Sequence, residues 1–297
     1  MSPDDSLEIP PQVQHVKLGR GLKHVLTAVP STIKSIISPA PWSDNMVFGE
    51  YTEPQDTKSL LNSTTNLHLH GVKYHSFNSF IVPQTLGNNI KSISFGHCFN
   101  QVILPGTFPN SVEFLDFGHS FNQPLHKSLL PSSLQTLVLG RGFKQDLKDV
   151  FPSTLTQLSL HLFWVSAVQS ISQFPPNLIK LSIPYYDGVL GIIPTTTTLV
   201  HLELNQVISN FGKFPGDADA DIIPIELVPP NITTLILNEY MRIQSYDLIP
   251  LTIKNIKLCD SIRPGTKIPI TIESVVLPKS FNSPLGTILQ TVDNCDQ

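Results

Sequence analysis

Cysteine is scarce in this chain of 297 residues: Cys98, Cys259 and Cys295 stand at unrelated spacings, with no CxxC pair. An odd, scattered set argues against a disulfide framework or a thiolate zinc site and favours a reducing compartment. Charge is scarce too, at 14% of residues, and no Lys/Arg cluster stands out. A formal charge of −4 and a pI near 6.2 offer no broad attraction to nucleic acid or to an anionic membrane. No apolar run reaches the roughly 18 residues of a membrane span, and the opening "MSPDDSLEIPPQ" lacks the basic and apolar regions of a secretory signal. These absences predict a cytoplasmic protein that binds neither nucleic acid nor membrane.

Proline and aliphatic residues are abundant. Hydrophobic residues make up 40% of the chain, enough for a core, and 26 prolines are spread along its length. Such punctuation implies short elements and frequent corners, because proline fixes φ and cannot donate to a ladder. The prolines have a grammar, Pro-x-x-Φ-x-x-Φ-x-Φ with Φ aliphatic or Phe. It reads "PNSVEFLDF" from Pro109, "PSSLQTLVL" from Pro131, "PSTLTQLSL" from Pro152, "PPNLIKLSI" from Pro175, "PPNITTLIL" from Pro229, "PLTIKNIKL" from Pro250 and "PITIESVVL" from Pro269. Weaker copies start at Pro10 and Pro30, and "LNSTTNLHL", "GNNIKSISF" and "TTTLVHLEL" keep the pattern without the proline, twelve copies in all.

The middle Φ of each copy marks the period: Val16, Ile36, Leu67, Ile93, Leu115, Leu137, Leu158, Leu181, Leu202, Leu235, Ile256 and Val275. Eight of the eleven spacings fall between 19 and 23 residues. A period of this length with a Φ-x-x-Φ-x-Φ core predicts a mainly β, leucine-rich-repeat-like solenoid of about twelve coils of 19–23 residues. Each coil gives one strand to a parallel sheet on the concave side. The dozen or so residues that remain per coil carry Gly, Asn and Pro, which favours a convex side of extended chain, turns and short 3₁₀ segments. Residues 10–285 read as one solenoid, with 1–9 and 286–297 as tails, and the wide spacings as loop insertions at about 37–62 and 205–228.

After the strand comes a second phrase: Phe99-Asn100-Gln101, Phe121-Asn122-Gln123-Pro124-Leu125, Phe281-Asn282-Ser283-Pro284-Leu285 and the variant Phe143-Lys144-Gln145-Asp146-Leu147. This resembles the FNIP repeat family, whose hallmark is a Phe-Asn-x-Pro-Leu phrase in a leucine-rich-like repeat. The resemblance implies a stand-alone array that serves interaction rather than a reaction. Near Trp164, Asp187, Ile208, Met241 and Ile262 the phrase is lost, so those coils are expected to keep the strand and vary the convex wall. Phe77-Asn78 sits four residues late, which suggests a longer corner. Stacked coils would align Phe99, Phe121 and Phe143 as an aromatic spine, with each following Asn bonding corner backbone. Gly19, Gly96, Gly118 and Gly140 form one column that permits a tight exit from the strand.

If the Φ residues point inward, the residues between them face outward on the concave side, a polar surface of mixed charge suited to a protein partner. The candidate protein-binding residues are His68, His70, Asp116, His161, Lys180, His201, Glu203 and Lys257. His68 and His70 share a face, yet no carboxylate or thiolate lines up beside them, so no metal site is assigned. His97 and His119 align with Arg141, which disfavours a bound cation and reads as a pair of hydrogen-bonded corner histidines. Asp217, Asp219 and Asp221 resemble the start of a calcium loop, but Ile222 stands where glycine and Val228 where glutamate would be required. No nucleophile elbow, HExxH or paired-acid motif occurs. The expectation is a monomeric, non-catalytic scaffold for an unknown protein partner, without cofactor. A ligand- or metal-binding protein using the His/Asp clusters, or a structural copy of little individual function, is the alternative.

Overall fold

The computed structural model describes residues 10, 12–17, 35–37, 65–69, 78, 80–84, 86–186, 188–195, 198–207, 222–237, 241–243, 245–258 and 268–277. Both predicted tails, most of the two predicted insertions, and His70, Phe77, Asp217, Asp219, Asp221 and the phrase from Phe281 lie outside these residues. The chain forms two compact units, residues 1–156 with 162–175, and residues 157–161 with 176–297.

The first unit carries β1 (His15–Lys17), β2 (Ser35–Ile37), β3 (Asn66–Leu69), β4 (Ser92–Phe95), β5 (Phe114–Asp116) and β6 (Thr136–Leu139). They pair in sequence order, all parallel, and the predicted markers meet: Val16 faces Ile36, then Leu67, Ile93, Leu115 and Leu137. The second unit carries β7 (Gln157–Leu160), β8 (Lys180–Tyr185), β9 (His201–Val207), β11 (Thr234–Leu237), β13 (Asn255–Lys257) and β14 (Ser274–Val276). Here Leu158 faces Leu181, then Leu202, Leu235, Ile256 and Val275. The fold is therefore a leucine-rich-repeat-like β-solenoid. About eight turns are regular, fewer than the twelve copies counted along the sequence: the strands around Val16, Ile36 and Leu67 have connecting segments outside the described residues.

The grammar has a local physical cause. The proline carbonyl of Pro-x-x-Φ accepts the N–H of the Φ three residues on, as in Val112 to Pro109 (3.1 Å), Leu134 to Pro131 (3.2 Å) and Ile253 to Pro250 (3.0 Å). The chain thus turns before each strand. Two residues after the proline, a polar side chain reaches the preceding coil: Ser111 Oγ donates to the Ile90 carbonyl at 2.7 Å and Thr154 Oγ1 to Leu134 at 2.8 Å. Asn231 Nδ2 donates to the Leu199 carbonyl in the same way.

The Φ residues form the core. Ile93, Leu115, Phe117, Leu137, Leu139, Leu158, Leu181, Leu202 and Leu235 are all fully buried. Beside them the predicted aromatic spine is double. Phe99, Phe121 and Phe143 stack at 6.0 and 6.1 Å between ring centroids, while Phe95 and Phe117 form a parallel column 6.0 Å apart. The columns are cross-linked by Phe95–Phe99 at 3.9 Å and Phe117–Phe121 at 4.1 Å.

Outside the spine runs an asparagine ladder. Asn78 Oδ1 accepts the N–H of Asn100 (2.8 Å), Asn100 Oδ1 that of Asn122 (2.8 Å), and Asn122 Oδ1 that of Lys144 (3.0 Å). Each glutamine of the phrase reinforces it, Gln123 Nε2 donating to both the carbonyl (3.0 Å) and Oδ1 (3.1 Å) of Asn100. Asn78 sits in register with Asn100 although their strands are offset, so the four extra residues fall between β3 and the ladder, as the longer corner requires.

The glycine column is forced by proximity. A Cβ on Gly118, where φ is +72°, would lie 2.1 Å from the Gly96 carbonyl oxygen, and one on Gly140 would lie 2.1 Å from that of Gly118. No side-chain motion relieves a clash with backbone.

Between strands the chain forms 3₁₀ turns at Lys127–Leu129, Val189–Ile192, Ile225–Leu227 and Tyr246–Leu248, as expected. Two features depart from the expected wall. A short helix, α1 (Val165–Gln169), replaces the phrase where it is lost, burying Ala167 and Val168. In the second unit β10 (Ile222–Ile223) and β12 (Arg242–Ile243) make a second, two-stranded parallel sheet.

Candidate functional site: the outward sheet face of the second unit

On a strand whose alternate residues enter the core, the residues between them face outward. In the second unit they line up in two rows. One runs Gln157, Lys180, His201, Thr234, Asn255 and Ser274, and the other Ser159, Ser182, Glu203, Ile236, Lys257 and Val276. Lys180 and His201 are direct cross-strand neighbours, with Glu203 two residues along β9 on the same face. Lys257 shares the Glu203 row beyond Ile236, and His161 follows β7, half-buried. Five of the eight candidates thus belong to this unit, and Lys180, His201 and Glu203 form its contiguous centre.

The other candidates lie elsewhere. His68 is on β3 of the first unit, opposite Ser94 in register. Asp116 is on β5, and the framework engages both its oxygens: Oδ1 accepts the N–H of Gly118 at 2.8 Å and Oδ2 the hydroxyl of Ser94 at 3.1 Å. It fixes the exit of a strand. His97 and His119 are also not the hydrogen-bonded corner pair expected: their rings stack at 4.1 Å and are exposed to solvent, because they stand outside the glycine turn.

Asn205, at the end of β9, adds to the face. Its Nδ2 donates to the Leu160 carbonyl (2.7 Å) and to Ser182 Oγ (3.0 Å). Asn205 Oδ1 and His201 Nε2 are buried and have no hydrogen-bond partner among the described residues. Buried polar atoms are costly to leave unpaired. Among the described residues no three His, Cys, Asp or Glu side chains gather to hold a metal ion, and no helix is long and apolar enough to cross a membrane.

Burial, and secondarily Lys180, hold the His201 pKa below the ordinary 6.5, with Glu203 pulling the other way. His119, solvent-exposed but partly desolvated on its stacked face, is lowered by that desolvation, then by His97 and Arg141. The folded chain therefore disfavours both imidazolium ions relative to the unfolded chain. Their neutral forms leave stability intact above pH about 6.5, and stability falls as the pH drops through that value toward the folded-state pKa. The thermal midpoint should decline from about pH 7.5 to about pH 5, and the double variant His119→Gln/His201→Gln should decline less steeply. Equal slopes would remove these two histidines as the cause.

The family model of the FNIP Repeat matches residues 77–120 and 121–163. Among solved structures, the chain is similar to the crystal structure of CroV588, titled a novel circular LRR protein, with a TM-score of 0.55 and 22% identity. The match covers 92% of this chain but only 41% of that one. No curated protein matches the sequence.

Proposed function

This is an FNIP repeat-containing chain of leucine-rich-repeat-like fold, and from that premise we propose that it is a non-catalytic scaffold whose outward sheet face binds another protein. The observation that carries the reading is the contiguous Lys180, His201 and Glu203 cluster at the centre of this polar face. Ser159 in the neighbouring row adds a hydroxyl, so the face offers polar groups and both signs of charge rather than an apolar patch. The repeat framework consumes the invariant letters in its own packing and leaves the differing ones to recognition. The few, scattered cysteines support action in the cytoplasm.

The test is a capture experiment with the full chain and a Lys180→Glu/Glu203→Lys variant whose melting temperature is unchanged. Partners retained by the wild type and lost by the variant support this face. Identical partner sets from both proteins would overturn it.

A further inference from the structure

A second surface, in the unit that lacks the Lys180 cluster, has a different chemistry. Residues 97, 119, 141 and 163 stand one repeat apart, and their letters are His, His, Arg and Phe. The Arg141 guanidinium lies over the Phe163 ring, 5.1 Å from its centroid, and the Lys144 ammonium lies over Trp164 at 5.7 Å. Phe163 is 52% exposed and Trp164 47% exposed, whereas the spine phenylalanines of the same unit are fully buried. The two exposed rings are therefore no part of the core. They sit where the Phe-Asn phrase is lost, directly ahead of α1.

Among the described residues neither Arg141 nor Lys144 takes part in the ion pairs Lys91–Glu113 and Lys254–Glu273. The nearest acids in sequence are engaged locally: Asp146 Oδ1 accepts the N–H of Lys148 at 2.7 Å, and Asp149 Oδ1 accepts the hydroxyl of Ser172 at 3.1 Å. A guanidinium that lies over a ring still has N–H groups to offer, which suits a carboxylate held in two-pronged fashion. Arg, Trp and Phe side by side are also the residue types that anchor protein interfaces.

We propose that Arg141, Lys144, Phe163 and Trp164 form a docking site for an acidic peptide segment of a partner protein. Its carboxylates pair with the two stacked cations, and an apolar side chain between them lies against the exposed rings. Charge complementarity favours this occupant. A nucleic-acid strand is disfavoured because two fixed cations release few counterions and each ring already has one face covered by a cation.

The test uses the full chain with Trp42→Phe, so that Trp164 is the sole tryptophan of the two in the sequence. Three probes are titrated against its emission: a short peptide of glutamates around one leucine, the same peptide with glutamines, and a single-stranded oligothymidine of equal charge. The glutamate peptide should shift the emission saturably, more weakly as salt is added, and the glutamine peptide should not. Arg141→Gln/Lys144→Gln should weaken binding roughly tenfold or more without altering the melting temperature, and Lys144→Gln alone serves if the double variant fails to fold. No shift, equal binding of both peptides, indifference to the charge substitutions, or response to the oligothymidine alone would each overturn the proposal.

Discussion

Excision of residues 109–130 is expected to leave a shorter solenoid that still melts cooperatively, whereas excision of residues 109–119 alone, though it removes less, is expected to leave a less stable one. The full excision joins Phe108 to Pro131, a proline that opens the same turn as Pro109, with Leu134 N–H bonding the Pro131 carbonyl as Val112 N–H bonds Pro109. It brings Lys144 onto the Oδ1 of Asn100 in place of Asn122, and Phe143 onto Phe99 in place of Phe121, because each partnership repeats at a 22-residue separation. The shorter excision changes register by half a coil. The Pro109 turn and the Leu115 strand would be lost, while Phe121 and Asn122 would remain without a strand of their own in the long connection from Ile93 to Leu137. Circular dichroism and the sharpness of the thermal transition distinguish the outcomes. A half-coil deletion as stable as the full-coil one would show that register does not hold the stack together.

Phe121→Ala should destabilise the chain by about 3–5 kcal/mol, the range for a large buried aromatic reduced to a methyl group. The ring is completely buried and meets Phe117, Phe99 and Phe143 at 4.1, 6.0 and 6.1 Å. Its neighbours are tied into their own coils by strand pairing and by the ladder, so the cavity cannot close. Phe121→Leu keeps most of the volume and should cost less than half as much. Denaturant melts of the two variants check the ordering, and equal losses would place the ring contacts above simple burial in importance.

The strand register was legible in sequence because a period-2 alternation anchored by a proline turn leaves one way to stack: Leu115 on Ile93 and Leu137 on Leu115 follow from the spacing alone. The Phe and Asn columns were legible for the same reason. What the repeat could not reveal was how nonrepeating letters find partners. Asp116 looked like an outward charge, yet its fate depends on Ser94 one coil earlier and on the N–H of Gly118, contacts that no local pattern announces. The helix α1 and the small β10 and β12 sheet arise where the phrase is absent, so only tertiary packing determines them. The surface cluster of Arg141, Lys144, Phe163 and Trp164 did leave a trace, since 97, 119, 141 and 163 keep the period while their letters change.

The asparagine ladder is a relay, and its direction has a consequence. Every link needs a side chain whose oxygen can receive the next coil's N–H, and at position 144 the letter is lysine, which has donors and no acceptor. The relay stops there. The following corner must satisfy its backbone by itself, and it does so by winding into α1: Ala167 N–H bonds the Trp164 carbonyl at 3.2 Å and Ser170 N–H the Ser166 carbonyl at 3.0 Å. Ser170 Oγ then reaches back to receive the N–H of Leu147 at 2.8 Å. One exchange of amide for amine thus acts as punctuation in an otherwise self-propagating series. It ends the templating of one corner by the last and gives the next coil freedom to turn two aromatic rings toward water.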